Sequence, residues 1–277
     1  MTDRRQITLG QGTIHYQDSG AGQPVVFVHG LLVNGSLWRK VVSSLESNHR
    51  CIVPDWPLGA HPEAMRPNAD LSPTGLAGLV ADFLAALDLD AVTLVGNDTG
   101  GAICQIVATE HPERLARLVL TSCDAFENFL PPMFRPLQWA ARVPMVLTMS
   151  LQILRSRRLR KLPVALGWLA KRAVEQDVVQ DWVRPVLTDR AVRRDTAKVL
   201  RGISPRYTVT AAQKLVSFQG PTLIAWAAED RFFPLAHAKR LADLIPHARL
   251  ELVADSYTFI SEDQPAVLAE LIADFLE

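Results

Sequence analysis

Cysteine is scarce in this chain. There are three, Cys51, Cys104 and Cys123, and none forms a C-x-x-C pair. An odd, unpaired set excludes a disulfide framework and a cysteine zinc site, and suits a reducing, cytoplasmic setting. Neither sign of charge is in excess, since 29 Lys and Arg balance 29 Asp and Glu. No global pull toward nucleic acid or acidic membranes is therefore expected. Long apolar runs are also missing. The longest, Val143–Leu154, contains Pro, Thr, Ser and Gln and is too short to span a bilayer. Met1–Gly12 has no apolar h-region, so no signal peptide is expected. No metal-ligand cluster, P-loop or dinucleotide fingerprint occurs, so neither metal nor cofactor is expected. The chain is nonetheless 48% hydrophobic and 21% charged over 277 residues, enough for a globular fold with a sizeable core.

The first half alternates strand-like and helix-like segments. Ile7–Leu9 and Thr13–Tyr16 read as an opening hairpin. Val25–His29, Cys51–Asp55, Val92–Gly96 and Leu118–Cys123 are short apolar strands. Helical spacing fills Ser36–Leu45, Pro73–Leu87 and Gly100–Thr109. This β-α-β order implies a mostly parallel sheet with helices on both faces. The rhythm breaks from about Phe126 to Ala212, where no clear strand occurs, and resumes at Thr222–Ala227 and Arg249–Val253. The reading is an α/β core in two parts, residues 1–125 and 213–277, with a helical lid of residues 126–212 inserted between. The basic run Arg155–Lys161 reads as a solvated face of that lid.

Three motifs bear on chemistry. Gly96-Asn97-Asp98-Thr99-Gly100 follows a strand and opens a helix, the context of a nucleophile elbow. Its glycines allow a tight turn that lifts the middle side chain above the carboxyl edge of the sheet. That side chain is Asp98, neither Ser nor Cys. His29-Gly30-Leu31 follows another apolar strand, so the backbone N–H of Leu31 joins that of Thr99 as an expected oxyanion hole. His29 itself reads as a turn residue. Glu229-Asp230 follows a strand and precedes Pro234 at a helix start, which makes Asp230 the expected supporting acid. Asp124 and Glu127, after the preceding strand, are the alternative. Asn34, His61, Phe134 and Trp139 complete the candidate pocket, with the two aromatics as part of its wall.

Together these motifs resemble the α/β-hydrolase superfamily over essentially the whole chain. An Asp at the elbow is similar to the branch of haloalkane and haloacetate dehalogenases and epoxide hydrolases. That resemblance implies that Asp98 attacks carbon to form an alkyl-enzyme ester, which water activated by a His then hydrolyses. The branch carries its His in a segment like His-Phe-x-x-x-Glu-x-Pro. Here Thr258-Phe259-Ile260-Ser261-Glu262-Asp263-Gln264-Pro265 keeps Phe, acid and Pro, with Thr258 in the His position. Trp often follows the nucleophile in that branch; here Thr99 does.

The missing His divides the two chemical steps. A carboxylate attacks without help, but water needs a general base, and a Thr hydroxyl does not ionise near neutrality. Of the seven histidines, His61 lies in a loop after a parallel strand and is the one most placed to reach the site. Three readings stay open on a small apolar substrate. The first is an Asp98-nucleophile hydrolase with an unusual base. The second is a lyase, isomerase or cyclase with Asp98 as general base. The third is a binding protein without catalysis. A low-titrating Asp98 favours the first and a high-titrating one the second.

Overall fold

The computed structural model describes residues 4–163 and 165–277. Eight strands form one sheet: β1 (Arg4–Leu9), β2 (Gly12–Ser19), β3 (Pro24–Val28), β4 (Arg50–Pro54), β5 (Val92–Asp98), β6 (Leu115–Cys123), β7 (Thr222–Ala227) and β8 (Ala248–Val253). Their order is β1-β2-β4-β3-β5-β6-β7-β8. β2 pairs antiparallel with β1 and β4, and every pair from β4 onward is parallel. The sequence explains the middle of this order. β3, β5 and β7 are apolar runs buried along their whole length, as strands covered on both faces must be.

Eleven helices are described: α1 (Arg39–Leu45), α2 (Pro73–Ala86), α3 (Thr99–Glu110), α4 (Arg135–Ala140), α5 (Pro144–Leu151), α6 (Gln176–Thr188), α7 (Arg190–Gly202), α8 (Pro205–Leu215), α9 (Leu235–Leu244), α10 (Ile260–Asp263) and α11 (Pro265–Leu276). α2 begins where Ser72 accepts from the N–H of Gly75 and Pro73 occupies the first turn. α3 packs beside α2 and α8, and α1 beside α11. α8, at the end of the stretch expected as an insertion, packs along α3. In the core Phe27 and Trp38 pack with centroids 5.1 Å apart, and Tyr16 and Trp56 each meet Phe83 edge-on at 5.3 Å. Each such aromatic pair is worth about 0.5–1.5 kcal/mol beyond its buried area.

The helical stretch after β6 is tied to the sheet by specific contacts. Trp182 of α6 is fully buried, donates from Nε1 to the Ser36 hydroxyl at 2.8 Å, and meets Phe259 edge-on. Asp263 accepts from the backbone N–H groups of Lys171, Arg172 and Tyr257. Asp263 thus has a mechanical role: it fastens the helical stretch to the loop beyond β8.

Candidate active site

The carboxyl ends of the parallel strands converge on Asp98. This residue closes β5 and precedes α3 with φ 54°, in the left-handed region that a non-glycine side chain rarely adopts. Such a conformation costs on the order of 1–3 kcal/mol and persists only where the surroundings impose it. Two glycines make the surroundings possible. A Cβ on Gly100 would stand 2.3 Å from the Val28 carbonyl oxygen, so only glycine lets α3 approach β3 this closely. A Cβ on Gly30 would stand 2.3 Å from Asp98 Oδ2, so glycine there leaves room for the carboxyl.

The backbone N–H groups of Thr99 and Leu31 stand beside the Asp98 carboxyl and favour its ionised form. These are the two donors the sequence assigned to an oxyanion hole, and the structure brings them together with Asp98. Two further acids sit behind it. Asp124 is fully buried, and accepts from the Leu130 N–H at 3.0 Å and the Thr99 hydroxyl at 3.3 Å. Asp230 accepts from the N–H groups of Phe232 and Phe233, both at 2.8 Å, and from the Thr258 hydroxyl at 3.2 Å. All three contacts fall on Oδ1, and the buried Oδ2 has no hydrogen-bond donor.

Burial raises all three carboxyls. Burial chiefly, and then the charge of Asp230, push Asp98 up from 3.8 to about 7, against the pull of its N–H donors. Burial and the charge of Asp98 push Asp124 well above the usual carboxylate range. Burial likewise raises Asp230, opposed by the Phe233 and Phe232 N–H groups. Among the described residues, no group of three or more His, Cys, Asp or Glu side chains is arranged to hold a metal ion.

A cavity of about 90 Å³ opens over Asp98. Leu31 and Thr99 form its floor beside the carboxyl, and Phe134, Leu137, Leu151 and Leu154 reach in from the helical stretch. Phe232 and Phe233 close one side, with Phe134 and Phe232 stacked at 5.1 Å. Asp230 and Thr258 do not line this cavity, so the two stand behind its wall.

Several candidates lie elsewhere. Trp139 is 71% exposed on the outer side of α4, not in the cavity wall, because the short helix turns Leu137 inward and its neighbour two residues on outward. Glu127 is a surface residue paired with Arg240 at 3.1 Å, and so drops out as the alternative acid. Asn34 caps the turn at Gly35–Trp38 through Ser36 and donates to Asp181. His29 is buried, accepts the Trp56 N–H on Nε2 and donates from Nδ1 to the Gly30 carbonyl. Burial lowers it from 6.5 to about 4, so it is a neutral turn residue as its position suggested. His61 is also buried, but its Nδ1 accepts from Gly59 and its Nε2 faces Asp195 at 3.5 Å. No histidine lines the cavity over Asp98.

One site residue had no sequence signal. Asn97, between the two elbow glycines, donates to the carbonyls of Thr121, Ser122 and Thr258. It pins the loop bearing Thr258 to the end of β6.

A parallel sheet with an elbow at the end of its central strand and helices over that end is the architecture of α/β-hydrolase-type proteins. The α/β-hydrolase-fold family matches residues 23–265, and the chain belongs to it. It is 28% identical over 272 residues to a cis-3-alkyl-4-alkyloxetan-2-one decarboxylase of Shewanella oneidensis, covering 94% of this chain and 84% of that one. It is 26% identical over 280 residues to haloalkane dehalogenase 2 of Mycobacterium tuberculosis, covering 98% and 94%. Among solved structures, a haloalkane dehalogenase from Agrobacterium tumefaciens superposes with a TM-score of 0.80 at 22% identity, covering 99% of this chain and 96% of that one. A Thermogutta terrifontis esterase superposes with a TM-score of 0.78 at 22% identity, over 99% and 98%. These structural likenesses concern the fold.

Proposed function

We propose that this chain is an α/β-hydrolase-fold enzyme that transforms a small, mainly apolar organic molecule without activating water, with Asp98 as the reacting carboxyl. The observation that carries this reading is Thr258. It stands where the base of a dehalogenase-like triad would stand, and its hydroxyl is spent on Asp230. Neither His29 nor His61 is free to replace it.

An Asp98 that titrates at about 7 is present in both forms near neutrality. The ionised form accepts a proton from the bound molecule, and the protonated form returns one at a second atom. One group therefore serves as base and acid in turn, as proton transfer in a lyase or isomerase requires. The apolar cavity keeps that carboxyl from being solvated, which sustains the raised pKa. The name of the Shewanella relative gives independent support, since a decarboxylase is a lyase.

The N–H groups of Leu31 and Thr99 favour a second reading, in which one oxygen of ionised Asp98 attacks carbon, displacing halide from an alkyl halide or opening an epoxide to its alkoxide, while the two donors orient the carboxylate. Intact-protein mass spectrometry after incubation with 1-bromobutane or styrene oxide separates the two. The non-hydrolytic reading expects no adduct on Asp98 at pH 6 or pH 8, and no release of bromide by Thr258→His. An adduct on Asp98 that accumulates in the wild type and is cleared in Thr258→His would establish the nucleophilic reading in its place. Clearance should then accelerate by about 10²–10⁴-fold, the usual worth of a positioned base.

A further inference from the structure

Residues 128–174 contain no Asp or Glu, although the whole chain is balanced. Nine Lys and Arg fall in that stretch. Five of them, Arg157, Arg160, Lys161, Lys171 and Arg172, line a second cavity of about 290 Å³. Lys171 and Arg172 have acidic partners in Glu229 and Asp255. Arg157, Arg160 and Lys161 have none within salt-bridge distance among the described residues.

Arg160 is the unusual member. It is 8% exposed, its Nε donates to the Leu154 carbonyl, and its buried Nη1 has no partner at all. Burial and the neighbouring charge of Arg157 both work against its protonated form. An arginine cannot escape by losing its proton, so the charge stays and is balanced only by an arriving anion. Apart from Gln176, the rest of the wall is apolar, including Trp182 and Phe259. Leu166 lines both this cavity and the one over Asp98, and its N–H bonds the Arg160 carbonyl at 3.0 Å.

We propose that the second cavity is an anion subsite, which holds the carboxylate or phosphate end of an amphiphilic organic substrate whose apolar part extends past Leu166 toward Asp98. This rests on the reading of Asp98 as the reacting group and adds the class of molecule brought to it. The first cavity is lined by apolar side chains around Asp98 and offers an anion no cation, while the guanidinium of Arg160 attracts it to the second. The basic wall at one end and the apolar pocket at the other fix the direction in which such a molecule lies.

Titration calorimetry with hexanoate, hexyl phosphate and the neutral hexanol tests the subsite without requiring any turnover. Both anions should bind the wild type at least about tenfold more tightly than hexanol, as expected for a charge-assisted hydrogen bond in a buried site. Arg160→Met should abolish that preference. Equal affinity for the three probes, or a preference that survives Arg160→Met, would overturn the subsite. Should Arg160→Met fail to fold, the wild-type melting temperature decides: it should rise with hexanoate and not with hexanol, and no difference overturns the proposal. Cosedimentation with phosphatidylglycerol vesicles in the absence of hexanoate or hexyl phosphate binding would also overturn it, by moving the anion to the protein surface. Asp98→Asn should bind hexanoate at least as well as wild type. Loss of the subsite thus leaves the Asp98 chemistry standing, and loss of that chemistry leaves the subsite.

Discussion

The floor of the site and the wall beyond Leu166 bury charge of opposite sign, and they relieve it differently. Asp98 at the floor and Asp124 and Asp230 behind it stand without a cation partner among the described residues, and all three are pushed upward. A carboxyl under that pressure takes up a proton and becomes neutral. Across the partition, buried Arg160 stands with the exposed Arg157 and Lys161, and among the described residues none of the three has an acid within salt-bridge distance. A guanidinium has no neutral form to retreat to near physiological pH, so its tension persists until a ligand arrives. The difference teaches what each region is suited to. Groups that titrate near neutrality can move protons, whereas groups locked in one charge state can only hold and orient.

The largest expected effect breaks the floor outright. Asp98→Ala should lower turnover of any substrate the wild type accepts by about 10³-fold or more, the scale of a lost acid–base group. Steady-state kinetics on the folded variant checks this, and unchanged turnover would remove Asp98 from the chemistry.

The second prediction sharpens the contrast through pH. The folded-state pKa of Asp98, about 7, lies above its ordinary 3.8, so the native protein holds a proton that the unfolded chain releases. The resulting cost is absent below about pH 4, grows as pH rises from 4 to 7, and is complete above 7. Asp98→Asn, which imitates the neutral carboxyl, should therefore stabilise the protein at pH 8 by roughly 2–4 kcal/mol and leave it little changed at pH 4. Urea denaturation at the two pH values measures it. Equal effects at both would show that the carboxyl titrates in its ordinary range.

A smaller change disturbs the floor without altering its charge. Gly30→Ala would place a Cβ 2.3 Å from Asp98 Oδ2 and 2.6 Å from Asp98 Cβ. The elbow must shift, and a displacement approaching 1 Å should cost about 10²-fold in turnover. Kinetics combined with a melting curve distinguishes this from unfolding.

Much of the floor was legible in the sequence, because its parts are local. Gly96, Asp98 and Gly100 lie within five residues, and the strand before them and the helix after them are marked by their apolar patterns. Asp230 was legible from its place between a strand and a proline. The pairing of Asp124 with Asp98 was not, since it depends on the register of β5 against β6, where Asp98 lies opposite Cys123. The wall was harder. The run Arg155–Lys161 has no apolar period, so it reads as uniformly solvated. Arg157, Arg158 and Lys161 are indeed exposed. Arg160 sits in the middle of the single 3-10 turn Leu159–Lys161, where three residues complete one revolution, so it points inward while its neighbours point out.

The smallest predicted effect compares the inner and outer sides of that same helical stretch. Phe134 packs on Phe232 within the cavity wall, whereas Trp139, expected beside it, stands 71% exposed. Phe134→Ala removes a large apolar group from a packed wall and should destabilise by about 1–3 kcal/mol, below the full core value because the side chain is only half-buried. It should also loosen binding of the apolar part of any ligand. Trp139→Ala leaves no cavity and exposes nothing already covered, so stability should change by no more than about 0.5 kcal/mol, with hexanol affinity unchanged. Paired melting curves and hexanol titrations read both variants. A Trp139→Ala effect as large as that of Phe134→Ala would mean that α4 turns its other side to the site in solution.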